Sequence, residues 1–200
     1  MKITLTQFVT LDGVMQAPGG PEEDTSGGFT QGGWAVPYDD EDFGHFIDEV
    51  FARADAYLFG RRTYDIFAGY WPKMSGDPVS DGFNSLPKYV ASTTLTSADW
   101  QGTEIIGRDD LVKDVTALKE RPGRELQMHG SCGLARSLFA HDLIDTVHLL
   151  TYPVVLGSGK RLFADGGLPT AFKNAATRTT ASGVVISTYE REGRPEYGSF

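Results

Sequence analysis

Three short stretches of this chain place hydrogen-bond donors where an apolar strand should turn into a helix or a loop. The first is Leu58-Phe59-Gly60-Arg61-Arg62-Thr63-Tyr64. Backbone N–H groups at a helix start have no partner inside the helix and can hold an anion. Arg61, Arg62 and Thr63 add side-chain donors of the kind that match phosphate oxygens. A helix start with solvated arginines would read the same way. The second stretch is Leu126-Gln127-Met128-His129-Gly130-Ser131-Cys132-Gly133-Leu134. Here Gly130 would let a pyrophosphate approach the backbone, and Ser131 is expected to cap the following helix. A tight turn is the alternative, since Gly130 and Gly133 do not complete a G-x-G-x-x-G. In the third, Tyr89-Val90-Ala91-Ser92-Thr93, two hydroxyls stand at a strand's carboxyl end, the side on which open α/β sheets bind ligands. Ser-Thr pairs are also ordinary turn residues.

Other candidates are weaker. Gly157-Ser158-Gly159-Lys160 resembles part of a phosphate loop, but Val154 occupies the upstream glycine position and Arg161 follows the lysine. Triphosphate hydrolysis is therefore not expected. His45, His129, His141 and His148 show no metal-ligand spacing, so no metal is expected. Only His129 borders a candidate motif. No G-x-S-x-G supports a hydrolase triad, and Cys132 reads as a small buried cysteine. Trp34, Tyr38 and Trp71 lie in long loops, where they could wall a planar ligand or cover core. Asp12 closes the first strand in an Asp-Gly pair, as a plain turn or as a polar catalytic or positioning group.

The elements that must position these residues follow from periodicity. Ile3, Leu5 and Val9 alternate with Thr4, Thr6 and Thr10, which predicts a strand. Residues 16–33 read as a long loop. Phe43, Phe46, Ile47, Val50 and Phe51 predict a helix over 41–53, capped by Asp39 or Asp40. A strand at 56–59, a helix at 61–68 and a loop over 69–87 follow. Strands are expected at 89–91, 104–106, 126–129, 146–152, 154–156 and 184–189. Helices are expected from Leu111 to Pro122 and over 131–140, with a frayed tail from Glu192. Alternating strands and helices followed by β-rich sequence argue for one α/β domain over 1–200, its sheet mostly parallel with an antiparallel end.

Composition narrows the function classes. The 200 residues carry a net charge of -9 and one cysteine, Cys132. No Lys/Arg cluster offers a phosphate-tracking surface, so nucleic acid is not an expected partner. The opening MKITLTQFVTLDGV lacks a signal peptide's apolar run, and no segment approaches the ~20 apolar residues of a membrane helix. No intrachain disulfide can form. A cytoplasmic protein without membrane contact is expected.

Taken in order, LDG at 11–13, LFGRRTYDIF at 58–67, KYVAST at 88–93, HGSCGLARSLFAHDLID at 129–145 and YPVVLGSGKRLF at 152–163 give a further reading. The chain resembles the dihydrofolate-reductase-like superfamily, in the branch of the reductase domain of bifunctional riboflavin-biosynthesis deaminase-reductases. The resemblance implies a three-layer αβα fold with a mostly parallel sheet and an antiparallel C-terminal strand. It also implies NADPH. Gly60, Arg61 and Thr63 would hold the adenosine-side phosphates, Ser92 and Thr93 would flank the adenine ribose, and Gly130, Ser131, Gly133 and Leu134 would cradle the pyrophosphate. Asp12 would stand beside the nicotinamide, and Trp34, Tyr38 and Trp71 would face a small-molecule substrate. A homodimer pairing through Thr146–Tyr152 and Val154–Leu156 is implied as well. The implied activity is reduction of a small heterocycle or carbonyl compound, similar to 5-amino-6-(5-phosphoribosylamino)uracil reductase. A non-catalytic nucleotide-binding module and a true dihydrofolate reductase are the alternatives. Against the last, the 41–53 helix has no acid in its apolar stripe to support protonation of a pterin.

Overall fold

The computed structural model describes residues 1–163 and 165–199. Its strands are β1 (Lys2–Thr10), β2 (Ala54–Gly60), β3 (Lys88–Ala91), β4 (Thr103–Ile106), β5 (Glu125–His129), β6 (Thr146–Tyr152), β7 (Ala171–Thr179) and β8 (Val185–Gly193). Its helices are α1 (Glu41–Phe51), α2 (Arg61–Tyr70), α3 (Pro78–Ser85), α4 (Leu111–Glu120) and α5 (Cys132–Phe139). The strands form one sheet in the order β4-β3-β2-β5-β1-β6-β8-β7. The first six strands are parallel, and β8 and β7 add an antiparallel end.

Helices cover both faces. Val115 and Leu118 of α4 and Leu134 and Leu138 of α5 pack on Ile3, Leu5, Leu58, Leu126 and Met128. Phe46, Val50 and Phe51 of α1, Tyr64 of α2 and Phe83 of α3 pack on Tyr57, Phe59 and Val90 from the other side. The alternation in β1 marks a strand as expected, but its threonines are buried too. That is the signature of a central strand with both faces covered, not of a half-solvated one.

Four expectations need correction. The 69–87 stretch contains a helix, α3, with Asp77 as its cap: Oδ1 accepts from the N–H groups of Val79 and Ser80 at 3.0 and 2.9 Å. Gly76-Asp77-Pro78 reads as a turn, yet Asp at the cap and Pro at the first helical position are equally a start signal. Residues 154–156 form no strand, and the Leu11 N–H donates to the Val154 carbonyl as a single contact. The edge strand β7 was not anticipated, because its exposed, polar sequence lacks alternation. Finally, β6 lies between β1 and β8 inside the sheet, so it cannot present the free β surface expected for pairing.

Candidate functional site

β2 and β5 are neighbours, but their following helices leave toward opposite faces. α2 leads outward to β3 and packs with Tyr57 and Phe59, whereas α5 leads toward β6 and packs with Leu58 and Met128. Such a reversal opens a crevice at the carboxyl ends of the two strands, where ligands bind in sheets of this kind.

Ser131 spans that crevice. Its Oγ accepts from Gly60 N–H at 2.8 Å and donates to Thr63 Oγ1 at 2.7 Å. A Cβ on residue 60 would stand 2.9 Å from this Oγ, so the close approach needs glycine. The expected capping of α5 by Ser131 is not made. The residue occupies the cap position in the left-handed region, φ +74°, but its hydroxyl is committed across the crevice. A non-glycine residue held there stores strain of about 1–3 kcal/mol, a cost often found at functional sites.

Neither α2 nor α5 has a side-chain cap. The other three helices each have one: Asp40 accepts from Phe43 N–H, Asp77 from Val79 and Ser80, and Asp110 from Lys113. The two bare ends flank a cleft of about 330 Å³. Gly60, Arg61, Ser92, Thr93 and Leu134, all singled out from the sequence, line it together. Gly107, Leu111 and Ser137 line it too and were missed. The turn after β4 could have been found, because parallel neighbours end at the same edge of the sheet.

Within this cleft Arg61 Nε bonds both carboxylate oxygens of Asp65 at 2.8 Å, and neither Nη has a hydrogen bond among the described residues. Ser92 Oγ accepts from the N–H groups of Thr94 and Leu95, which shapes the turn. Thr63, Gly130, Ser131 and Gly133, also singled out from the sequence, do not line the cleft; Gly130 adopts φ +80°, and nothing lies within 4 Å of where a Cβ on Gly133 would be. Arg62 and Lys160 stand nearby and are tied to Asp24, at 3.1 and 2.5 Å.

A larger hollow of about 960 Å³ lies on the other side of α2, beside Tyr64, Met74, Asn84 and Trp100. Its central amide is satisfied: Asn84 donates to the Trp71 and Met74 carbonyls and accepts from Trp100 Nε1. Arg61 lines this hollow as well as the smaller cleft.

The remaining candidates are dispersed. Asp12 accepts from Thr10 Oγ1 at 2.6 Å, from the N–H groups of Leu156 and Gly157, and from Arg161. The Thr10 hydroxyl above all lowers its pKa to about 2, against the opposing effect of burial. Asp12 is therefore an anion that fixes the 156–157 turn. Trp34 donates to the Gln16 carbonyl, and Trp34 and Tyr38 both pack edge-on against Tyr152. Trp71 lies apart from them, against Phe67 and Phe83. Two of the four acids of α1 reach the β7–β8 hairpin: Glu49 pairs with Arg178, and Asp42 accepts from Ala181 N–H. Among the described residues, no three His, Cys, Asp or Glu gather closely enough to hold a metal ion. None of the described helices is long and apolar enough to cross a membrane.

Comparison with known proteins agrees with this architecture. The chain is 32% identical to YyaP of Bacillus subtilis (strain 168) over 197 residues, which is 96% of each chain. Its fold matches a protein of Shewanella sp. PV-4 solved as a candidate riboflavin biosynthesis protein, with TM-score 0.72 and 21% identity, covering 96% of this chain and 99% of that one. It also matches a diaminohydroxyphosphoribosylaminopyrimidine deaminase/5-amino-6-(5-phosphoribosylamino)uracil reductase of Thermotoga maritima, with TM-score 0.63 and 15% identity. That match covers 95% of this chain but only 56% of the Thermotoga protein. Dihydrofolate reductase from Enterococcus faecalis, solved with NADP(H), shares the fold at TM-score 0.61 and 11% identity, covering 95% and 96% of the two chains. The expected dihydrofolate-reductase-like fold is thus the observed one. A family model described as the RibD C-terminal domain matches residues 1–186, and the chain belongs to that family.

Proposed function

We propose that this protein is an NADPH-dependent reductase of a small heterocyclic or carbonyl substrate. The observation that carries the reading is the convergence of two uncapped helix ends, α2 and α5, on the crevice between β2 and β5. The residues there fit a dinucleotide. The turn at Gly130 and the free N–H groups at Gly133 and Leu134 would hold the diphosphate. The Nη groups of Arg61, with Thr63, would hold the adenosine-side phosphate, and Ser92 and Thr93 would flank the ribose. When bound, the cofactor supplies the hydride. The protein's part is to orient the reactants and exclude water. Trp34 and Tyr38 would wall the substrate, and Trp71, packed apart from them against Phe67 and Phe83, would stand outside that wall. Asp12, already ionised, would act as a positioning residue and not as a proton donor.

Saturating NADPH, at ~100-fold excess over its Kd, should stabilise the fold by roughly 2.7 kcal/mol. A melting temperature unmoved by millimolar NADPH would sink the reading. Arg61→Ala should weaken NADPH more than NADH, because only NADPH carries the extra phosphate; equal losses would remove Arg61 from that role. Dihydrofolate should be a poor substrate, since the apolar stripe of α1 carries no acid and Asp42 and Glu49 are engaged at the far hairpin. A homodimer remains part of this reading, with the exposed outer strand β7 in place of β6 as the pairing edge. A monomeric mass by light scattering would reject it.

A further inference from the structure

Arg53 follows α1 and gives its three nitrogens to three different elements. Nη1 donates to the Glu49 carbonyl in the last turn of α1 at 2.8 Å. Nε donates to Glu125 Oε1 on β5 at 2.8 Å, and Nη2 lies 3.2 Å from His148 Nε2 on β6. β5 and β6 flank β1 in the sheet, so one guanidinium fastens the end of α1 across the central strand. Phe46 of α1 lies edge-on to the same imidazole, with centroids 5.4 Å apart.

The donors decide the state of the ring. A guanidinium has no acceptor, so His148 Nε2 must hold a lone pair. The hydrogen of the neutral ring is then on Nδ1, which donates to Thr188 Oγ1 of β8 at 2.9 Å. Both ring nitrogens are thereby used, and the residue is buried. A second proton could go only to Nε2, where it would face the N–H of Arg53.

The surrounding charges leave no buried counter-ion free for that proton among the described residues. Arg53, at the end of α1, is paired with Glu125 of β5. Arg178 of β7 lies over the Phe46 ring at 4.7 Å and pairs with Glu49 of α1 at 2.7 Å. Burial lowers the pKa of His129, on β5, to about 3 and keeps it neutral. Glu190, two residues along β8 from Thr188, is exposed and sits opposite Lys173 of β7. Two guanidiniums and two carboxylates balance, and protonation of His148 would add an unmatched cation. Burial, and after it the neighbouring Arg53, lower the pKa of His148 from 6.5 to about 4. A folded pKa below the free one gives stability that is complete above pH 6.5 and lost as pH falls through about 4.

We propose that the Arg53–His148 contact is an acid-sensitive latch. While the ring is neutral it accepts from Arg53 and holds the C-terminal end of α1 on the sheet. When the ring takes a proton at Nε2, like charges drive Arg53 away, and the bonds to Glu49 and Glu125 that depend on its position are released with it. The latch is independent of the cofactor site at β2 and β5.

The test is histidine-¹⁵N NMR with amide hydrogen exchange on the full chain, from about pH 7 to about pH 3. The His148 resonances, identified by their loss in His148→Gln, should report the Nδ1–H tautomer and titrate below about pH 5. Protection of the amides of the last turn of α1, residues 48–51, should fall at least tenfold through the same midpoint, since each unit of pKa displacement is a factor of ten. That step should be absent in His148→Gln. Asp40 titrates at the other end of α1, and subtracting the His148→Gln profile removes its contribution. Arg53→Met should raise the His148 midpoint, whereas Arg53→Lys, which keeps a donating cation, should hold it low. An Nε2–H tautomer, a midpoint near 6.5, an Arg53→Met midpoint equal to the parent's, or a last turn whose protection ignores the titration would each overturn the proposal. If a variant does not fold, the His148 ring is identified by cross-relaxation with Phe46, and its tautomer, midpoint and link to the last turn in the unsubstituted protein decide.

Discussion

The helices of this protein begin in two ways. α1, α3 and α4 start behind an aspartate whose carboxylate takes up free N–H groups. α2 and α5 start behind Gly60 and Ser131 with those groups unclaimed by any side chain. A capping aspartate stabilises a helix by about 1 kcal/mol, so the bare ends forgo stability. They also avoid a negative charge where an anion would bind. The difference separates ends that serve the fold from ends that serve a ligand, and it coincides with the strand reversal between β2 and β5.

The largest expected effect comes from erasing that difference. Ser131→Asp would place a carboxylate at the α5 end, in a left-handed conformation that Asp tolerates, and could still accept from Gly60 N–H. NADPH affinity should fall ten- to a hundredfold, ~1.4–2.7 kcal/mol, with the fold intact by circular dichroism. Unchanged affinity by titration calorimetry would mean that the bare end of α5 does not serve the cofactor. The converse change, Asp77→Ala, should lower the unfolding free energy by about 1 kcal/mol while NADPH affinity stays as it was. A loss of affinity would show that capped and bare ends are not functionally separate.

The smallest effect is a titration. Hydrogen bonding to Phe43 N–H lowers the Asp40 pKa to about 2, and Ser80 lowers that of Asp77 below the usual carboxylate range. A carboxylate more acidic in the folded state gives stability that is complete above its unfolded pKa, near 3.9, and is lost as pH falls through the folded value. The α1 start should therefore loosen between about pH 4 and pH 2 and the α3 start as pH falls below about 4, whereas the bare ends have no capping carboxylate to titrate. Carboxyl-carbon NMR shifts of Asp40 and Asp77 with ordinary midpoints would contradict this.

Much of this arrangement was legible in residue patterns. Phe43, Phe46 and Val50 announce α1 because its apolar stripe packs against a single surface. Gly60, Arg61, Ser92, Thr93 and Leu134 could be grouped because parallel strands deliver their carboxyl ends to one edge. Gly107, Leu111 and Ser137 carry no chemical signal, and only the topology places them there. α3 was hidden because Asp-Pro starts turns and helices alike. β7 was hidden because an exposed edge strand needs no apolar alternation.

The position of β1 has a consequence for how the chain reaches this structure. Lys2 pairs with Glu125, and Thr4 with Thr146, so the strand at the middle of the sheet finds both neighbours only far along the chain. During synthesis it emerges long before either partner, with its apolar residues unpaired. β3 and β4 pair nearby in sequence, as do β7 and β8, and can form early. Closure of the centre is then the slow, entropy-limited event. Until it occurs, β1 is the segment most open to mispairing with other chains.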